Sequence, residues 1–258
     1  MRYAKRDGVV TVRAWGPGAR EAIERAPEQL GVDDDSWRFE SDHPLVGKWL
    51  RAVRDLRFGK TRRVVERLVP VVIAQKVTSA DASRTFREMV RRWGGRAPEP
   101  EGVEVPAAAR DLWLPPSPAR LAELAYFDLH EVNLERKRAE VILGIARRAT
   151  RLETFADLPA SEARSRLLAM PGIGPWSAAL VVSAVHGDTD QVPLGDYHIA
   201  NHVVHALTGR ARGTDEELLE LLEPFRPHRG RALAAILREG PSAPRFGPRM
   251  PDRDIRKL

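Results

Sequence analysis

The sequence predicts a mostly α-helical protein with a short α/β start, and three observations carry that expectation. Strand-like alternation is confined to residues 8–16, where Val10, Val12 and Ala14 oppose Thr11, Arg13 and Trp15, the pattern of a half-buried strand. From about residue 43 onward apolar residues recur at helical spacing, and no second convincing strand is found. The 258 residues are 43% hydrophobic and 30% charged, a globular balance in a chain long enough to bury roughly 70–75% of its unfolded surface.

Taken in order, a helix over 17–30 follows the strand and leads into the acidic loop Asp33-Asp34-Asp35. Leu45, Trp49, Val53 and Leu56 fall on one helical face, as do Phe86, Met89, Val90 and Trp93. Pro70 interrupts a helical pattern over 61–75 and is expected to start or kink a helix there. Residues 94–118 are Pro-rich and read as a long connection. It ends at Ser117-Pro118, with Ser as N-cap and Pro at the first helical position. Further helices are expected at 118–127, 135–148, 161–170, 175–185, 197–207, 215–222 and 229–238. The organisation is therefore an N-terminal region 1–42, a core 43–240 containing a helical hairpin at 161–186, and a basic Pro/Arg-rich tail 241–258.

Lys and Arg number 42 against 36 Asp and Glu, a net charge of +6, which favours a polyanionic partner without establishing one. Cysteine is absent, which excludes disulfides, thiolate zinc sites, iron–sulfur clusters and a cysteine nucleophile. Residues 1–10 carry Arg2, Lys5, Arg6 and Asp7 with no apolar run, so no signal peptide is read. The apolar stretch Ala178–Val185 is too short to cross a bilayer. A cytoplasmic protein with no membrane partner is the expectation.

The most informative segment is Leu167-Leu168-Ala169-Met170-Pro171-Gly172-Ile173-Gly174-Pro175-Trp176-Ser177-Ala178-Ala179. One apolar helix stops at Pro171 and another starts at Pro175, with two glycines flanking one apolar residue between them. Glycine lets a ligand approach the main chain closely. The amides of Gly172, Gly174 and the next helical turn can then converge on an anion, while Ile173 plugs the gap between the helices. Pro-Gly-Ile-Gly taken alone is equally compatible with a plain tight turn.

Twenty residues past Trp176 lies Asp196, in Val192-Pro193-Leu194-Gly195-Asp196-Tyr197-His198-Ile199. It can serve as an N-cap, and it can also be a fixed carboxylate facing a developing cation. These two roles do not exclude each other.

Hairpin, spacer and Pro-x-Gly-Asp-Tyr together resemble the HhH-GPD superfamily of base-excision DNA glycosylases, most nearly the bacterial DNA-3-methyladenine glycosylase II family. Val71-Val72-Ile73-Ala74-Gln75-Lys76-Val77-Thr78 resembles that family's I-L-x-Q-x-V-S/T segment. Pro224-Phe225-Arg226-Pro227-His228-Arg229 resembles its Pro-aromatic-Arg segment. The resemblance spans approximately 43–240, with 1–42 like a shortened form of that family's α/β domain. It implies the helix-hairpin-helix GPD glycosylase fold, two helical subdomains around a cleft, and a monomer that acts on double-stranded DNA with damaged bases.

By the same resemblance, Asp196 is the catalytic residue. The base pocket contains Trp176, Leu180, Tyr197 and Leu237, and DNA is held by Gly172, Ile173, Gly174, Trp176, Ser177, Gln75, Lys76 and Thr78. Strand-cutting members carry Lys where this chain has Trp176, so a monofunctional hydrolase is implied. Two pocket positions that are aromatic in well-known members are Leu180 and Leu237 here, which keeps another damaged purine open as the substrate. A non-catalytic DNA-binding hairpin is a further alternative. Lys76 aligns with the residue that fills the gap left by a flipped base, and Gln75 is within reach of the opposite base; a solvated helix-end Lys is the alternative. Trp176 either offers an aromatic face to the base or packs the two hairpin helices. The backbone carbonyls of Leu168, Met170 and Ile173 match positions that hold K+ or Na+ in relatives; no other cofactor is implied.

His198, His202 and His205 share a helical face but lack an accompanying Glu or fourth ligand, so DNA-facing or partly buried histidines are expected rather than a transition metal. Arg136-Lys137-Arg138 and Arg147-Arg148 read as solvated charge runs.

Overall fold

The computed structural model describes residues 1–99, 111–244 and 254–257. The expected tail therefore lies largely outside the described residues, as does the middle of the Pro-rich connection. Residues 2–13 form an antiparallel ribbon of β1 (Arg2–Arg6) and β2 (Val9–Arg13), in register from Arg2 opposite Arg13 to Arg6 opposite Val9. This corrects the expectation of a single strand. The first strand, Arg-Tyr-Ala-Lys-Arg, is exposed throughout and so lacks an apolar face. The turn is Asp7-Gly8, with φ of 50° and 78°, the two-residue geometry of tight hairpins.

Short helices α1 (Ala19–Glu24) and α2 (Ala26–Gln29) replace the single helix expected over 17–30. A two-stranded ribbon and two short helices thus stand where the resemblance implied a small α/β domain. The helical body follows with α3 (Pro44–Ala52), α4 (Val64–Ile73) and α5 (Ser79–Trp93). The α3 core face is Val46, Gly47, Trp49 and Leu50; of the expected face Trp49 and Val53 are buried and Leu56 packs on the same core, whereas Leu45 is exposed. α4 runs through Pro70 instead of starting there. The amide that proline lacks would have bonded the carbonyl of exposed Glu66, which water can satisfy instead.

β3 (Gly95–Arg96) pairs with β4 (Trp113–Leu114) around the undescribed residues 100–110. Then come α6 (Pro118–Ala122), α7 (Tyr126–His130), α8 (Arg136–Arg147), α9 (Ala149–Glu153) and α10 (Ala160–Leu168). The chain closes with α11 (Pro175–His186), α12 (Ile199–Thr208), α13 (Asp215–Leu222) and α14 (Arg229–Glu239). Ser117 caps α6 as expected, its hydroxyl accepting the Arg120 amide at 3.1 Å.

The buried side chains form two clusters. One draws on α4 through α11, from Val64 to Val185. The other joins α3 to α12, α13 and α14, with Val46, Trp49, Val203, Leu222 and Ile236 at its centre. The chain thus makes two helical lobes, and α3 leaves its sequence neighbours to pack with the C-terminal helices. A buried ion pair secures that arrangement: Arg231 of α14 bonds Asp34 and donates to Ser36 Oγ at 2.7 Å, with the Arg231 and Asp34 side chains each 2% exposed.

Candidate active site

The hairpin between α10 and α11 is built as its residues dictate. Ile173 is 4% exposed and belongs to the first core, so it does plug the two helices together. Gly172 has φ +81°, and a Cβ there would stand 2.3 Å from Val141 Cγ2 of α8; packing and backbone both require glycine. Gly174 differs. Its φ is −95° and a Cβ would meet nothing within 4 Å, so the protein itself leaves this side of the turn open. The Ile173 amide closes the turn onto Met170 O at 3.1 Å, while the first amides of α11 have no intrahelical acceptor by geometry.

Asp196 lies across the lobe boundary from that hairpin. Gly195, at φ +85°, turns the chain, and its amide donates to Asp215 Oδ2 at 2.7 Å. Asp196 Oδ1 then accepts the amides of His198 at 2.9 Å and Ile199 at 3.1 Å, and Oδ2 accepts the indole N–H of Trp176 at 2.9 Å. The N-cap residue of α12 is His198, so Asp196 stands two residues earlier than a cap while still serving the first amides. Trp176 also packs partly against the first core. It thus takes the packing role and adds a direct hydrogen bond from the hairpin helix to the carboxylate.

The remaining expected residues are distributed around this pair. Leu180 packs on the first core, Tyr197 is 81% exposed with its ring 4.8 Å from that of His198, and Leu237 is 37% exposed on α14. The two leucines therefore stand on helices of different lobes. Gln75 is not extended toward solvent: its Nε2 donates to Gly172 O and Ser177 Oγ, both at 2.9 Å. Ser177 is 2% exposed, so its hydroxyl faces Gln75. Thr78 caps α5 through the Asp81 amide at 3.1 Å. Lys76, between them, is exposed and has φ +56°, a left-handed conformation uncommon outside glycine.

Sequence reasoning missed one neighbour. Arg138, taken for part of a solvated run, is 8% exposed and donates to Ile73 O at 2.7 Å. Only the long-range approach of α8 to the end of α4 turns it inward, and no local pattern encodes that. In the expected Pro-aromatic-Arg segment, Phe225 is buried in the second lobe, while Arg226 and Arg229 pair with Asp190 and Glu223. Among the described residues no group of three or more His, Cys, Asp or Glu side chains is placed to hold a metal ion. Among the same residues no helix is long and apolar enough to cross a membrane.

No protein-family model matches the chain. A DNA-3-methyladenine glycosylase of Bacillus subtilis is 24% identical over 213 residues, covering 80% of this chain and 68% of that protein. A 3-methyladenine DNA glycosylase from Archaeoglobus fulgidus shares the fold with a TM-score of 0.68 at 22% identity, over 89% of this chain and 77% of that one. So does a Clostridium acetobutylicum 8-oxoguanine glycosylase/lyase, solved in complex with double-stranded DNA, at a TM-score of 0.67 and 15% identity over 92% and 88% of the two chains. With its two lobes and its glycine hairpin, the chain shares the fold of these DNA glycosylases, and in sequence it is similar to DNA-3-methyladenine glycosylases.

Proposed function

We propose that the protein is a monofunctional DNA glycosylase that hydrolyses the N-glycosidic bond of alkylated purines, such as 3-methyladenine and 7-methylguanine, and so starts base-excision repair. The observation that carries this is the Asp196 carboxylate, oriented by three N–H donors beside a hairpin whose Gly174 side is open. A DNA backbone fits the hairpin because a phosphate can lie against Gly174 and accept the free amides of the α11 N-terminus. The damaged nucleotide leaves the stack at a cost of a few kcal/mol, which a lesion reduces. Lys76 then fills its place with the aliphatic stem while the ammonium seeks a phosphate.

An N-alkylated purine is a cation and leaves as a neutral base, taking the electron pair of the glycosidic bond. The sugar C1′ becomes electron-poor and accepts a water oxygen, whose proton passes to Asp196 or to solvent. A carboxylate about 4 Å from that developing cation contributes roughly 4 kcal/mol at an effective dielectric constant of about 20. Trp176 stands where a Schiff-base amine would be needed, so the product is an abasic site in an unbroken strand. The carbonyls of Leu168, Met170 and Ile173 would hold a monovalent cation. That of Met170 already accepts the Ile173 amide and keeps a second lone pair.

Leu180 and Leu237 support a second reading, in which the lesion is a less electron-poor purine that gains little from aromatic stacking. Methylated duplex DNA incubated with the protein tests the first reading. Free 3-methyladenine or 7-methylguanine and alkali-labile, otherwise intact strands are expected. Strand cleavage without alkali, or release confined to deaminated or oxidised bases, would overturn it.

A further inference from the structure

Between the hairpin and the Lys76 turn lies a set of contacts made within the protein itself. α4 ends at Ile73, and three residues later Lys76 takes its left-handed φ of +56°. From one side, the Gln75 amide nitrogen bonds both Gly172 O and Ser177 Oγ at 2.9 Å. From the other, Arg138 donates at 2.7 Å to Ile73 O, a carbonyl that the end of a helix leaves without an intrahelical partner. A cation also suits the negative end of the α4 dipole. Arg138 is held in turn by Glu135 at 3.4 Å. It differs from Arg136 in the same basic run, which pairs with Glu140 on the surface. The helix that supplies Arg138 also presses Val141 against Gly172.

We propose that Gln75 and Arg138 are positioning residues that hold the Lys76 turn and the hairpin as one rigid unit, so that the side chain entering the base stack is already set before DNA binds. The inference rests on the glycosylase reading above and deepens it. Ordering the turn beforehand removes an entropic cost that would otherwise fall on extrusion of the base. Gln75 and Arg138 thus act through Lys76, not on the base opposite the lesion.

Single-turnover excision of 7-methylguanine is measured from two duplexes, one with cytosine opposite the lesion and one with an abasic-site analogue opposite it. The variants are Gln75→Met, Arg138→Met and Arg138→Lys. On the paired duplex, Gln75→Met and Arg138→Met are expected to lose about tenfold or more, equivalent to about 1.4 kcal/mol. On the duplex with no pair to break, Arg138→Met should stay within about twofold of wild type, since less work is asked of the wedge. Arg138→Lys, which keeps a donor, should recover part of the loss. Equal losses for Arg138→Met on both duplexes, or none on either, would overturn the proposal.

A readout free of chemistry accompanies it: 2-aminopurine fluorescence opposite an abasic-site analogue. Wild type should change it on binding, Lys76→Ala should not, and Arg138→Met should respond less than wild type. If wild type releases no base from either duplex, the glycosylase reading fails. The fluorescence still decides the positioning claim, because a wild-type response from Arg138→Met contradicts it.

Discussion

The two oxygens of Asp196 have separate partners, and the separation matters for chemistry. Oδ1 is tied to its own helix by two amides, while Oδ2 is tied to the other lobe by the Trp176 indole. The carboxylate is therefore aimed by both lobes at once. Trp176→Phe keeps the ring and removes only the N–H donor. A hydrogen bond to a charged group contributes about 1.5–3 kcal/mol, so single-turnover excision should fall about 10- to 100-fold in a folded protein. Combined with Asp196→Asn, the losses should be less than additive because the two residues act together. Full additivity would show that Trp176 works independently of the carboxylate.

At the scale of the element, the two hairpin glycines separate folding from binding. Gly172 has φ +81° and Val141 Cγ2 within 2.3 Å of a virtual Cβ, whereas Gly174 has an ordinary φ and open space. Gly172→Ala should cost about 1–3 kcal/mol of stability through strain and overpacking. Gly174→Ala should leave the urea midpoint unchanged yet weaken DNA binding, since its methyl group would stand where a phosphate approaches. The pair of substitutions is read by equilibrium unfolding and by fluorescence anisotropy with a labelled duplex. Reversal of the two effects would remove the anion cradle from the account.

At the scale of the molecule, long-range polar contacts tie the N-terminal segment to the second lobe. Asp34 accepts the Ser36 amide at 3.0 Å and the Phe58 amide at 2.8 Å, and pairs with Arg231, which also donates to Leu56 O at 3.2 Å. Arg231→Met leaves Asp34 buried without its counter-charge, and breaking such a pair costs about 3–5 kcal/mol; urea unfolding should show it. Acid should also destabilise the fold. Burial pushes His186, His202 and His228 below their ordinary value of 6.5. Below that value the unfolded chain takes up protons that the folded one refuses, so stability is lost as pH falls from about 7 toward 5. Burial raises the Asp34 value, but hydrogen bonds from Ser36 and the Phe58 amide, with the Arg231 charge, hold it below 3.8; its contribution is lost at still lower pH. His202→Gln should reduce the first loss in thermal melts between pH 7 and pH 5.

The sequence displays what is local. The hairpin, the helix starts and the turn in which Asp196 accepts the His198 and Ile199 amides are legible because each depends on neighbours within a few residues. The first strand was missed although Asp7-Gly8 is a strong turn signal, because Arg2–Arg6 pairs without an apolar face. Gln75 on the hairpin, Arg138 on α4 and Arg231 on Asp34 depend on contacts across 97, 65 and 197 positions. No periodicity reports such distances. The placement of α3 with α12, α13 and α14 was hidden for the same reason.

The most direct measurement compares wild type and Asp196→Asn for single-turnover release of 3-methyladenine and 7-methylguanine from alkylated duplex DNA, with duplex affinity measured alongside. The account predicts release by wild type, a loss on the order of 10² or more in the variant, and similar affinity for both. Near-wild-type release by Asp196→Asn would contradict it.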